Sequence, residues 1–217
     1  MTLVTGKSKE FSLILSKSGN GKTVVEYLLT MTKQKPTLII DSYNQFQGVH
    51  KTLKQLVSYF LDYENLEDFR GFKRRILIAL KPNEANEFYE YLLKSKFLNG
   101  CLIVNDEIDM TLGTANVSNQ HAFYQFCNRG RHQEFNFIAT ARATQNIPKV
   151  LAQQTDIYYI GKVQNKPMLD YLSNNTNIKD LEVLTDGLED YQYLRYDTSS
   201  EVIKKFKYEF ELLNDFK

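Results

Sequence analysis

Three groups of residues have the types and spacing to do chemistry together. The first is the run Ser16-Lys17-Ser18-Gly19-Asn20-Gly21-Lys22-Thr23. A turn of small residues that opens a helix on Gly-Lys-Thr aims successive backbone N–H groups, the positive end of the helix and one ammonium at a single point. A triphosphate binds at such a point. Thr23 then offers its hydroxyl to the magnesium that accompanies the phosphates. The second group is Asp106-Glu107, which follows the apolar run Cys101-Leu102-Ile103-Val104 and Asn105. A buried strand delivering Asp106 at its carboxyl end lets it hold the same ion, directly or through water, from the side opposite Thr23. Glu107 is one residue on and points elsewhere, as a base or orienting group for an attacking water should. The third group is cationic: Arg129 and Arg131 in Arg129-Gly130-Arg131-His132, and Arg142 shortly after Thr140.

These residues need elements to bring them together. Ser12 to Leu15 reads as a strand before the turn, and Val24/Leu28 and Val25/Leu29 follow it at helical spacing. Gly6-Lys7-Ser8 has the same tripeptide ending but no apolar strand before it, and reads as an ordinary turn. The turn departs from G-x-x-x-x-G-K-[ST] at Ser16, which stands in the place of the first glycine and tolerates positive φ poorly. Further strands are expected at 36–41, 75–80, 101–106, 135–140 and 157–163, with helices at 52–63, 84–95, 119–130, 148–153 and 167–173. Residues 110–118 read as a polar loop. Asp41 ends its strand either as a cap or as a contact to a nucleotide or a neighbouring loop. The Tyr- and Phe-rich segments 190–196 and 201–210 read as a terminal antiparallel hairpin that completes the sheet. If strand 135–140 neighbours the first strand, Thr140 and Arg142 lie beside the phosphate turn as candidate sensors of the γ-phosphate.

At 217 residues, 42% hydrophobic and 24% charged, the chain is expected to form a single α/β domain over 1–217. No segment approaches membrane-spanning length and no signal peptide is visible, which leads to an expected cytoplasmic location. Cys101 and Cys127 form no C-x-x-C pair and read as reduced core thiols. The net charge of +1 neither demands nor excludes a nucleic-acid partner. Local clusters such as Lys73-Arg74-Arg75 or Lys204-Lys205-Lys207 could supply one, or could be solvated faces.

Ser16 to Thr23, Val104 to Glu107, and Arg129-Gly130-Arg131-His132 leading through Phe137-Ile138-Ala139-Thr140-Ala141-Arg142 to Asn146-Ile147-Pro148 together resemble the FtsK/HerA superfamily of DNA-pumping ATPases. Within it, the chain looks like the genome-packaging NTPases of icosahedral viruses with an internal membrane, over residues 10 to 163. The resemblance implies a RecA-like (ASCE) P-loop fold with a central, mostly parallel sheet flanked by helices. It implies ATP and Mg2+ as ligands, with Lys22 on the phosphates, Thr23 and Asp106 on the metal and Glu107 activating water. Arg131, or less firmly Arg129, would be a finger inserted across a subunit boundary. The implied partners are other copies in a hexameric or pentameric ring, DNA held through its backbone, and a capsid portal or packaging vertex, with association with the virion. Ala141 stands where many relatives carry a glutamine sensor, which shifts that role to Thr140 or Arg142. Lys17 is either an extra cation for the γ-phosphate or a surface lysine. Two alternatives remain: a cellular or plasmid translocase or conjugation ATPase, and an ATP-binding switch or vertex component that does not hydrolyse.

Overall fold

The computed structural model describes residues 9–41, 43–71, 74–112, 121–142, 144–163 and 165–207. Among them, nine strands form one sheet: β1 (Phe11–Leu15), β2 (Thr37–Asp41), β3 (His50–Lys51), β4 (Arg75–Ile78), β5 (Leu102–Asp106), β6 (Asn136–Ala141), β7 (Ile157–Ile160), β8 (Gln192–Asp197) and β9 (Val202–Lys207). The order across it is β3-β4-β2-β5-β6-β1-β7-β8-β9. The first seven strands run parallel, and β8 and β9 are antiparallel. The expected terminal hairpin is therefore present. This mostly parallel sheet with helices on its faces matches the RecA-like P-loop architecture.

The parallel strands are apolar almost throughout because both faces are covered. Their alternation still sorts the two sides. Ile14, Ile39, Leu77, Val104 and Ile138 pack under α1 (Lys22–Lys33), against Val25 and Leu29. Their neighbours Leu13, Leu38, Ile40, Ile103 and Phe137 face the larger core on the other side. That core is closed by α2 (Leu53–Leu61), α3 (Tyr63–Gly71), α4 (Ala85–Lys94), α6 (His121–Arg129), α7 (Lys149–Gln154) and α8 (Lys166–Asn175). Two shorter helices, α5 (Ile108–Thr111) and α9 (Leu181–Asp186), follow β5 and α8 respectively.

The expected elements are found with their ends shifted by a few residues. β3, α3, α5 and α9 were not anticipated: each is short or weakly patterned, and α5 occupies the start of the segment read as a loop. Residues 113–118 of that loop, Gly6-Lys7-Ser8, Lys73 and the end of the last predicted strand lie outside the described residues. Cys101 and Cys127 are buried, unpaired thiols, and no helix among the described residues is long and apolar enough to cross a membrane.

Phe126 is the hub of the larger core. It is fully buried, and its ring lies 5.1 to 6.4 Å, centroid to centroid, from Phe11, Tyr89, Phe123, Phe135 and Phe137. Phe126→Ala removes one ring from five partners that cannot all collapse inward, and should cost about 3–5 kcal/mol. Urea denaturation followed by circular dichroism checks this as a lowered midpoint with an unchanged slope.

Candidate functional site

The parallel strands carry their polar tips to one edge. Parity decides which side chains meet there: Asp41, Asp106 and Thr140 follow Ile39, Val104 and Ile138 by two residues, so all three lie on the α1 face. Because β6 lies between β1 and β5, Thr140 stands between the glycine turn after β1 and the acidic strand end. Its hydroxyl donates to Asp106 Oδ1 at 2.9 Å and accepts from Glu107 N at 2.8 Å. One side chain thereby orients both acidic residues. Asp41 is turned away from this group as a cap: it accepts from Gln45 N (2.9 Å) and Phe46 N (2.8 Å) and meets His50 Nε2 at 2.8 Å.

The turn between β1 and α1 is built on two glycines with φ of +78°, Gly19 and Gly21. Ser16 is not among the positive-φ residues, so its replacement of a glycine requires no left-handed backbone. Its side chain is accommodated by Gly161 at the end of β7. A Cβ there would lie 2.7 Å from Ser16 Oγ and 2.8 Å from Asn20 Nδ2. The hairpin braces the turn from the other side. Tyr193 donates to Asn20 O at 2.7 Å, Tyr191 N donates to Asn20 Oδ1 at 3.1 Å, and Lys17 pairs with Asp190 at 3.5 Å.

Lys22 Nζ donates to Ser16 O at 3.0 Å and Lys17 O at 3.2 Å, folding over the cradle its own loop forms. Burial draws its ammonium below the ordinary range, against the pull of the Glu107, Asp106 and Asp109 carboxylates. Lys22 and the β5 acids thus share one electrostatic space. Thr23 reaches the same acids through Gln45: its hydroxyl donates to Gln45 Oε1 at 3.1 Å, and Gln45 Nε2 donates to Glu107 Oε1 at 3.3 Å. Glu107 also pairs with the guanidinium of Arg142, which stacks 5.2 Å above the Tyr43 ring. Glu107 itself has φ of +58°, a conformation that turns it out of the strand's alternation.

Two carboxyl oxygens at this edge, Asp106 Oδ2 and Glu107 Oε2, are buried with no donor on them. The glycine cradle, the Lys22 ammonium, the Thr23 hydroxyl and these free oxygens fit a metal-bound polyphosphate: N–H groups and a cation for the anion, hydroxyl and carboxylate oxygens for the metal.

The other two cations are elsewhere. Arg131 grips Asp156 with both terminal nitrogens (3.0 and 2.9 Å), bonds to Gln154 O and lies 4.9 Å over the Phe11 ring. Phe11 begins β1 and the phosphate turn follows its end, so Arg131 lies at the opposite edge of the sheet and is committed within its own chain. Arg129, at the end of α6, is exposed and has no ion-pair partner among the described residues.

Sequence reasoning missed two site residues. Gln45 lies in a loop without periodicity, and only the Asp41 cap curls that loop back over Thr23. Glu26 lies on α1 one turn beyond Lys22, is fully buried, and meets Asp106. Its pKa is raised well above the usual carboxylate range by burial first, then by the Asp106 charge. A signal was present: Glu26 interrupts the apolar face that Val25 and Leu29 present to the sheet.

No family model matches the sequence, and no curated protein matches it. Solved structures do. The genome packaging NTPase B204 from Sulfolobus turreted icosahedral virus 2, in complex with AMPPCP, superposes with a TM-score of 0.70 at 16% identity, covering 93% of this chain and 98% of that one. B204, the DNA-packaging ATPase from Sulfolobus Turreted Icosahedral Virus, gives 0.69 at 15% identity with the same coverage. VirB4 of Thermoanaerobacter pseudethanolicus gives 0.67 at 10%, covering 94% and 91%. At these identities the likeness is one of fold.

Burial raises the Asp106 carboxyl from 3.8 to about 6. The folded chain therefore binds this proton more tightly than the unfolded one, and the stability so gained is present on the acid side and lost as pH rises through about 6. Glu26 acts in the same direction. Without metal or nucleotide, the melting temperature should fall between about pH 4 and 6 through this group, and Asp106→Asn should flatten that part of the profile in differential scanning calorimetry.

Proposed function

We propose that the chain is an ATP-hydrolysing motor that works as a ring and moves DNA, with packaging of a viral genome as its task. The observation that carries the reading is the meeting of Lys22, Thr23, Asp106, Thr140 and Glu107 at one edge of a parallel sheet, in an architecture shared with packaging ATPases.

Each residue has a step. The Gly19 and Gly21 turn and Lys22 bind the β- and γ-phosphates, Lys22 exchanging its bonds to Ser16 O and Lys17 O for phosphate oxygens. Thr23 and Asp106 would hold magnesium, which would supply charge neutralisation on the phosphate oxygens. Thr140 keeps Asp106 in place. Glu107, freed from Arg142 and Gln45, orients the attacking water and takes its proton. Arg142, beside Glu107, senses the γ-phosphate.

A subunit boundary supplies the remaining charge compensation. Arg129 suits the finger better than Arg131, because Arg131 cannot leave Asp156 without abandoning a bidentate, partly buried ion pair. DNA contacts are placed on the groove of about 910 Å³ that opens from Thr23 and carries Lys51, Arg74 and Arg75 among the rings of Tyr27, Phe46 and Tyr59. Contacts there would be to the phosphate backbone rather than to base edges. The likeness to VirB4 and, at a TM-score of 0.58, to the pCW3 conjugation coupling protein TcpA keeps a plasmid or cellular translocase as the second reading.

Glu107→Gln should keep ATP binding and lower turnover by at least about 100-fold; undiminished hydrolysis would remove Glu107 from the reaction. Arg129→Ala subunits mixed with Glu107→Gln subunits should regain part of the wild-type rate, since junctions then form with both groups intact. Absence of rescue at every ratio places the arginine's action within one chain. Stimulation of hydrolysis by double-stranded DNA distinguishes a motor from a switch.

A further inference from the structure

Glu26 stands three residues after Thr23 and four after Lys22, so the helical repeat puts it on their side of α1, one turn further along the sheet. It is fully buried, and neither of its carboxyl oxygens has a donor. Asp106, which it meets, has one oxygen on Thr140 and the other, Oδ2, also without a donor. Packing does not call for an acid here: the neighbouring inward positions of α1 are Val25 and Leu29, and an apolar residue would seal the same gap. An acid buried without donors is destabilising unless something positive meets it.

Two carboxyl groups that face each other with no donor between them require either a proton or a cation. Magnesium is usually bound by one or two carboxylates plus phosphate oxygens and water. Among the described residues no three His, Cys, Asp or Glu side chains form a cage by themselves. We propose that Glu26 is the second carboxylate of the magnesium site, facing the ion from α1 while Asp106 faces it from β5. The inference rests on the nucleotide-binding reading above.

The test is binding of a fluorescent, non-hydrolysable ATP analogue to wild type, Glu26→Gln, Glu26→Leu and Asp106→Asn, each titrated in EDTA and in excess Mg2+. Wild type should bind more tightly with Mg2+. Glu26→Gln and Asp106→Asn should each cut that enhancement by about tenfold or more, with little change in EDTA. Glu26→Leu should lose the enhancement as well, yet melt no lower than wild type without metal, because it removes an acid that only a cation would satisfy. If Glu26→Gln keeps the full enhancement while Asp106→Asn loses it, Glu26 is not part of the metal site and the nucleotide reading stands. If Glu26→Leu unfolds at lower temperature and Glu26→Gln behaves as wild type, the residue is structural and the proposal fails. If wild type binds no analogue in either condition, the nucleotide reading fails first.

Discussion

Three carboxyl groups and one ammonium share the buried edge where β1, β6 and β5 end, and protein atoms alone leave them incompletely satisfied. Asp106, Glu107 and Glu26 each retain oxygens without donors, and Lys22 spends its protons on the carbonyls of its own loop. Buried charge is tolerated where its compensation arrives from outside. The rest of the molecule maintains this imbalance: a sheet covered on both faces excludes water, and Thr140 holds the two acidic residues in register although Asp106 Oδ2 and Glu107 Oε2 lack donors.

The parallel sheet makes the arrangement possible. Strands that run in one direction end at one edge, and a single helix on one face decides which alternate residues can meet a ligand bound at its start. Thr140 and Asp106 point toward α1 for the same reason that Ile138 and Val104 do. Asn105, of opposite parity, points into the other core, where Tyr89 bonds to it at 2.8 Å and Thr111 at 2.9 Å. It anchors the strand tip from behind.

Much of this is legible in the sequence. Apolar runs bounded by turn residues marked β1, β2, β4, β5, β6 and β7, and the Gly-Lys-Thr turn with Asp106-Glu107 marked the edge where they converge. The hairpin β8–β9 could be read from its two Tyr- and Phe-rich segments. What escaped detection depends on contacts far apart in the chain. Gln45 owes its place to the Asp41 cap, and Glu26 is conspicuous only once the sheet beneath it is known. The tolerance of Ser16 depends on Gly161, 145 positions away. Arg131, in a sequence neighbourhood that suggests a reaching arginine, is tied to Asp156 within its own chain.

Tyr193 and Asn20 are joined by a hydrogen bond between residues 173 positions apart. The turn is synthesised well before the hairpin that braces it. Such long-range closure is entropically slow and comes late in assembly. A chain lacking the hairpin would carry the turn without its wall, so the cradle is complete only once β8 has joined the sheet.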